Sequence, residues 1–321
     1  MKRIFLMLAA CLLAGTAAAR TYDKVVAQDG SGDYKTIQEA ILSCKHFYYY
    51  PTYIFVKNGV YKEKLEIPSW ITDVVLIGEN RDSTIITNDD HSGKVTPLGR
   101  INTFTSYTLK VLGARTHLLN FTIENAALQR GQAVALHIEA DGILVKNCRI
   151  LGNQDTIYAN GEKDETLMVD CYVEGTTDYI FGSAQLFMDN CTLHCKRKSY
   201  ITAASTPRGR EFGFAIFNSK ITAAPGVTGM LLGRPWRIYA KTVFLNCEMG
   251  DFIHPKGWMN WGKPQAESLV FYGEYMTRGT DVSERVAWSR QLTQQQAQKY
   301  YDELDRMRRT YLTPAGLGPE I

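Results

Sequence analysis

The chain has 321 residues, 45% of them hydrophobic and 21% charged, and a formal net charge of +3. That is apolar material enough for one large domain or two small ones. The charge falls from +3 to +1 without Lys2 and Arg3, which excludes a global pull toward nucleic acid and leaves a polyanion only a local basic patch to bind.

Residues 1–19 read as a secretory signal: Lys2 and Arg3 first, an apolar run from Ile4 to Leu13, then Ala17-Ala18-Ala19 before Arg20. The run is too short to span a membrane. Leu8-Ala9-Ala10-Cys11 also fits a lipoprotein-type acylation box, so export to a periplasm, secretion and lipid anchoring all stay open. Six cysteines follow the signal, with no Cys-x-x-Cys pair and no zinc-like Cys/His spacing. No metal site is expected, and buried free thiols are the default for the cysteines of the repeat described below.

Thr36-Ile37-Gln38-Glu39 predicts a capping box opening a short helix, with Ile37, Ala40, Ile41 and Cys44 on one face. His46 to Tyr50 is rich in tyrosine and reads as a local insertion. From Asn120 a pattern then recurs: Asn120-Phe121-Thr122-Ile123, Asn147-Cys148-Arg149-Ile150, Asp170-Cys171-Tyr172-Val173, Asn190-Cys191-Thr192-Leu193, Asn218-Ser219-Lys220-Ile221 and Asn246-Cys247-Glu248-Met249. The steps are 27, 23, 20, 28 and 28 residues, and each instance follows a short alternating run such as Thr242-Val243-Phe244-Leu245. Strands with turn residues at this spacing predict a solenoid. A leucine-rich repeat would need regular leucines and helical returns. A β-sandwich would not keep a polar residue in phase. The phased asparagines are expected to be scaffold, bonded up and down a ladder. Near the end, Thr293 opens a second predicted helix with an apolar stripe of Ala297, Tyr300, Tyr301, Leu304, Met307 and Tyr311, stopped by Pro314 and Gly316. No linker interrupts residues 20–321, so one domain is expected, as a monomer.

Asp155 and Asp178 lie 23 residues apart, each eight past a repeat position. On neighbouring coils their backbones would stack roughly 4.7–4.9 Å apart. Like charges that close do not both ionise freely, so one carboxyl can hold a proton while the other stays anionic. A turn aspartate is more often a local hydrogen-bond acceptor, so this reading needs the repeat phase behind it.

Gly59-Val60-Tyr61-Lys62-Glu63, Gln132-Ala133-Val134-Ala135-Leu136, Gly152-Asn153-Gln154-Asp155-Thr156, Asp178-Tyr179-Ile180-Phe181-Gly182 and Leu232-Gly233-Arg234-Pro235-Trp236 follow in order. Phe271-Tyr272-Gly273-Glu274-Tyr275 adds to them. Together they resemble the pectinesterases, from about Val25 to Trp288. The resemblance implies an all-β, right-handed parallel β-helix with a short N-terminal capping helix and a C-terminal helix. It also implies removal of methyl esters from galacturonate residues of pectin (methyl-esterified homogalacturonan), without a cofactor. By resemblance Asp178 is the nucleophile and Asp155 the general acid/base. Gln132 and Gln154 form the oxyanion hole, and Arg234 orients Asp178. Trp236 and Trp258 line the sugar cleft, with Tyr158 and Phe181 at its rim.

Asn153 and His137 depart from the usual pattern, and the inhibitor-like N-terminal domain of many plant members is not expected. His137, His194 and His254 read as structural, and no Gly-x-Ser-x-Gly elbow points to a serine hydrolase. Alternatives are another β-helix pectin-active enzyme, a lyase or glycoside hydrolase, or a non-catalytic pectin-binding protein on the same scaffold.

Overall fold

The computed structural model describes residues 22–312. The signal segment, Cys11, Pro314 and Gly316 lie outside them. Within these residues the chain winds into three long parallel sheets of eleven, seven and seven strands, plus one two-stranded antiparallel hairpin at Val95–Thr96 and Gly99–Arg100. Seven successive coils each give one strand to each sheet in turn, the end coils add strands to the eleven-stranded sheet alone, and parallel crossovers of this kind are right-handed. The fold is a right-handed parallel β-helix.

The repeat sets the register of the eleven-stranded sheet. Leu119, Lys146, Val169, Asp189, Phe217 and Leu245 pair in sequence, so the residues after them form a column: Asn120, Asn147, Asp170, Asn190, Asn218 and Asn246. All six take left-handed backbone conformations, with φ between 49° and 63°. L-residues pay roughly 1–2 kcal/mol there, and Asn and Asp offset it with local hydrogen bonds. Asn147 Nδ2 donates to Asn120 Oδ1 at 2.9 Å, Asn190 Nδ2 to Asp170 Oδ1 at 2.6 Å, and Asn246 Nδ2 to Asn218 Oδ1 at 2.7 Å. The ladder is scaffold, as expected. The residues that follow point inward, and Cys148, Cys171, Cys191 and Cys247 are buried free thiols.

Helix α1 (Ile37–Leu42) covers the N-terminal end of the core with Ile37, Ala40 and Ile41. Thr36 caps it by accepting from the Glu39 N–H, but the reciprocal bond of a capping box is absent. Glu63 takes that part, accepting from the Ile37 and Gln38 N–H groups at 3.0 and 3.1 Å. A carboxylate at a helix N-terminus suits its unpaired donors. Helix α2 (Gln294–Tyr311) does carry a full capping box between Thr293 and Gln296. Its stripe of Ala297, Tyr300, Leu304, Met307 and Tyr311 packs on the outer face of the eleven-stranded sheet, against residues such as Leu167, Phe187 and Phe217. Without this helix the sheet would expose a broad apolar face to water. Arg306 pairs with Glu165 at 2.6 Å, and Arg308 with Asp189, tying the helix to the same sheet.

Candidate active site

The site grows out of one corner of the solenoid. Ile157–Ala159, Ile180–Gly182 and Tyr200–Ala204 are neighbouring strands of one seven-stranded sheet. Asp155 and Asp178 stand just before the first two, both left-handed, with φ of 66° and 48°. Their N–H groups bond to Thr177 O and Tyr200 O at 3.1 and 2.8 Å, which locks each turn to the next coil. Gln132 and Gln154 bridge one rung earlier, and Ala133 N donates to Gln154 O at 3.0 Å. Among the described residues no hydrogen bond engages either glutamine's side-chain amide, so both stay available.

Arg234 follows the strand Leu231–Gly233, the next after Tyr200–Ala204 in this sheet. Its Nε donates to Asp178 Oδ1 at 3.0 Å and its Nη2 to Oδ2 at 2.6 Å, a two-point grip on one carboxylate. The guanidinium packs on the rings of Trp261 and Tyr200, 3.6 and 4.1 Å from their centroids. Gly233 lets the chain pass: a Cβ there would meet Thr202 Oγ1 and the Trp258 ring.

Asp155, Asp178, Gln132, Gln154, Arg234, Phe181, Trp236, Trp261, Ala203, Thr103 and Phe104 line one open cleft of about 250 Å³. Burial pushes the Asp155 carboxyl well above its usual range, the negative Asp178 pushes it further, and Arg234 opposes both. Burial also raises Asp178 above its usual range, but less far, because the Arg234 hydrogen bonds and charge oppose it, with help from Lys263. The two acids are therefore split, with the proton held more firmly on Asp155. Such a pair can act as acid and nucleophile at one pH.

The pectinesterase family model matches residues 23–304. The chain belongs to the pectinesterase family. Pectinesterase 31 of Arabidopsis thaliana is 34% identical over 281 residues, 85% of this chain and 88% of that relative. The pectin methylesterase from carrot superimposes with a TM-score of 0.83 at 30% identity, over 93% of this chain and 98% of the carrot chain. A pectin methylesterase in complex with a hexasaccharide matches with a TM-score of 0.78 at 27% identity, over 94% of this chain and 99% of that one. The chain spans about half the length of several curated relatives it matches, such as Pectinesterase 2 of Citrus sinensis, 33% identical over 82% of this chain and 53% of that relative.

In this pectinesterase-family chain Trp236 and Phe181 line the cleft, but Trp258 does not. It is 2% exposed and stacks on Tyr272, ring centroids 4.4 Å apart, inside the core. Expecting it in the cleft is corrected by burial: the Lys256–Trp258 turn inserts its ring beneath Gly233. Trp261, three residues on, reaches the cleft instead, at a left-handed φ of 56° supported by Asn260 Oδ1 accepting from Gly262 N at 2.9 Å. Tyr158, expected at the rim, does not line the cleft. It is buried between Phe181, His137 and Phe104, with centroids 4.7, 4.8 and 5.1 Å away.

Thr103, Phe104 and Ala203 were not legible as site residues. The first two arrive on a loop outside the repeat, and no local signal marks them. Basic residues that could form a local patch, Lys196, Arg197 and Arg210, are tied into the scaffold: Lys196 pairs with Glu174 at 2.9 Å, Arg197 bonds Gln129 at 2.9 Å, and Arg210 bonds Gly161 O at 3.0 Å. Among the described residues no His/Cys/Asp/Glu group could hold a metal ion. Nor is any helix of the described residues long and apolar enough to cross a membrane.

Proposed function

We propose that the chain hydrolyses methyl esters of galacturonate residues in pectin, releasing methanol and pectate, with residues 20–321 acting as one catalytic unit. The observation that carries this reading is the Arg234-gripped Asp178 beside a buried, proton-retaining Asp155, with two unengaged glutamine amides opening into the same cleft.

An Asp178 carboxylate oxygen attacks the ester carbonyl carbon. The carbonyl oxygen becomes an oxyanion and takes hydrogen bonds from the Gln132 and Gln154 amides. Asp155 gives its proton to the methoxy oxygen as the C–O bond breaks, and methanol leaves. The galacturonyl group is then held on Asp178 as an anhydride. Asp155, now anionic, takes a proton from water while the water oxygen attacks the same carbon. The anhydride bond breaks, Asp178 is regenerated as a carboxylate, and Asp155 is protonated again. The product acid ionises to solvent. Trp236, Phe181 and Trp261 give the sugar chain apolar faces beside these groups.

Residues 1–19 as an export signal would take the protein to an extracytoplasmic polymer. The test is methanol release and acidification on highly methylated pectin. Wild type turns over, and Asp178→Asn does not. Equal rates for the two remove Asp178 from the chemistry, and new unsaturated or reducing ends without methanol would make this a lyase or glycosidase.

A further inference from the structure

The tyrosine-rich segment that the catalytic reading leaves unused sits at the N-terminal end of the solenoid. It joins α1 to the strand Thr52–Val56. Phe47, Tyr49 and Tyr50 are 65%, 87% and 69% exposed, and Trp70 is 44% exposed. These rings belong to one surface. Phe47 N donates to Trp70 O at 2.8 Å, the His46 and Trp70 rings lie 6.3 Å apart, and those of Tyr48 and Tyr50 lie 5.6 Å apart. Phe47 is held left-handed, at a φ of 50°, a costly conformation for a bulky side chain that turns this loop outward.

Beside the rings is a hollow of about 430 Å³ lined by Asp23, Lys24, Ser43, Lys45, Tyr48 and Tyr50, among others. Its two cations have no ion-pair partner among the described residues. Lys45 Nζ lies 4.8 Å from the Tyr48 ring centroid and Lys24 Nζ 5.5 Å from that of Tyr34. Asp23 is occupied: its Oδ2 accepts from Tyr53 N at 2.7 Å. Four coil steps separate Thr52–Val56 from Glu165–Val169, the strand of the coil that carries Asp178. The patch is therefore roughly 19 Å along the axis from the catalytic coil.

Four exposed rings in water are unfavourable unless something covers them. Flat rings interleaved with hydroxyls and unpaired ammonium groups match a sugar chain that carries carboxylates: sugar C–H faces stack on rings, and carboxylates pair with lysines. We propose that this end of the solenoid is a second polysaccharide-binding surface, separate from the cleft and selective for an acidic polyuronate. The choice of a polyuronate rests on the pectin reading of the cleft. The surface would hold the de-esterified polymer while the cleft works on methylated stretches of the same chain.

The test is affinity electrophoresis of the full-length protein in gels containing polygalacturonate free of methyl ester. Methanol release from a short methylated oligogalacturonide is measured on the same samples. Wild type is retarded. Tyr49→Ala/Tyr50→Ala and Lys45→Glu bind about tenfold more weakly, or about 1.4 kcal/mol, with unchanged methanol release. Added salt weakens retention of wild type more than of Lys45→Glu.

Equal retardation of wild type and both variants overturns the proposal. That result would leave all binding in the cleft. Equal retardation of wild type by a neutral glucan overturns the acidic selectivity, and sedimentation with phosphatidylcholine vesicles in place of polygalacturonate overturns the class of ligand. Retardation without any methanol release would instead fault the catalytic reading and leave this surface standing.

Discussion

Arg234 closes a two-point grip on Asp178, Nε to Oδ1 at 3.0 Å and Nη2 to Oδ2 at 2.6 Å, across 56 residues of sequence. The guanidinium fixes the carboxylate plane and lowers the cost of its charge. Its own position is set by Trp261 and Tyr200. Arg234→Ala should raise the Asp178 pKa, because it removes the hydrogen bonds and positive charge that pull it down. The acid limb of the pH–rate profile for methanol release then moves to higher pH. Arg234→Lys keeps the charge but loses the planar fork, so it should restore the limb without restoring the full rate. An acid limb that stays put in Arg234→Ala would separate this arginine from Asp178 ionisation.

Gln132 and Gln154 have free amides at the mouth of the same cleft. Gln132→Ala and Gln154→Ala should each lower kcat by roughly 10²–10³-fold, or about 2.7–4 kcal/mol of barrier, because the donor acts on charge that develops only in the transition state. KM should move little. A rise in KM with kcat intact would make them ground-state binding groups.

Asp155 carries a folded-state pKa well above its ordinary 3.8, caused first by burial and then by Asp178. A raised carboxyl pKa means that the folded protein binds more protons than the unfolded chain. Its contribution is complete below the unfolded value and is lost as pH rises from about 3.8 through the raised value. Asp155→Asn removes the proton exchange while keeping the shape. Thermal denaturation should show this variant more stable than wild type near neutral pH, with the advantage shrinking in acid, while methanol release is abolished. A variant that is less stable at every pH would contradict a buried, ionisation-strained Asp155.

Asn218 holds a φ of 49° and bonds both ways along the ladder, donating to Asp189 and accepting from Asn246. Asn218→Ala loses both bonds, and with them the polar side chain that offsets the left-handed cost its Cβ already carries, so it should cost about 1–3 kcal/mol in denaturant unfolding. Asn218→Gly loses the bonds but not the backbone fit, and should cost less. Equal losses would show that the backbone conformation contributes nothing at this rung.

Much of this was legible before any coordinates. The solenoid followed from the phase of Asn120 to Asn246, because a column of left-handed corners needs residues that tolerate that conformation. The two helices followed from Thr36 and Thr293 and from apolar stripes at helical spacing. The partner of the α1 N-terminus was not legible: Glu63 is distant in sequence, and Glu39, at the right local spacing, points elsewhere. Nor could Trp258 and Trp261 be told apart, since both are tryptophans in one turn-rich stretch. The side of the corner that each ring occupies depends on the space beneath Gly233.

The sequence by itself determined the coil period, the family and the two acids that stand in phase. Those follow from local rules: which residues accept a left-handed corner, and which alternate inward and outward on a strand. Only the tertiary structure decided which acid keeps its proton, which tryptophan meets the cleft, and that Thr103 and Phe104 close one wall. Burial, through-space charge and the path of a loop outside the repeat set these, and each depends on groups that the chain brings together only when the coils stack.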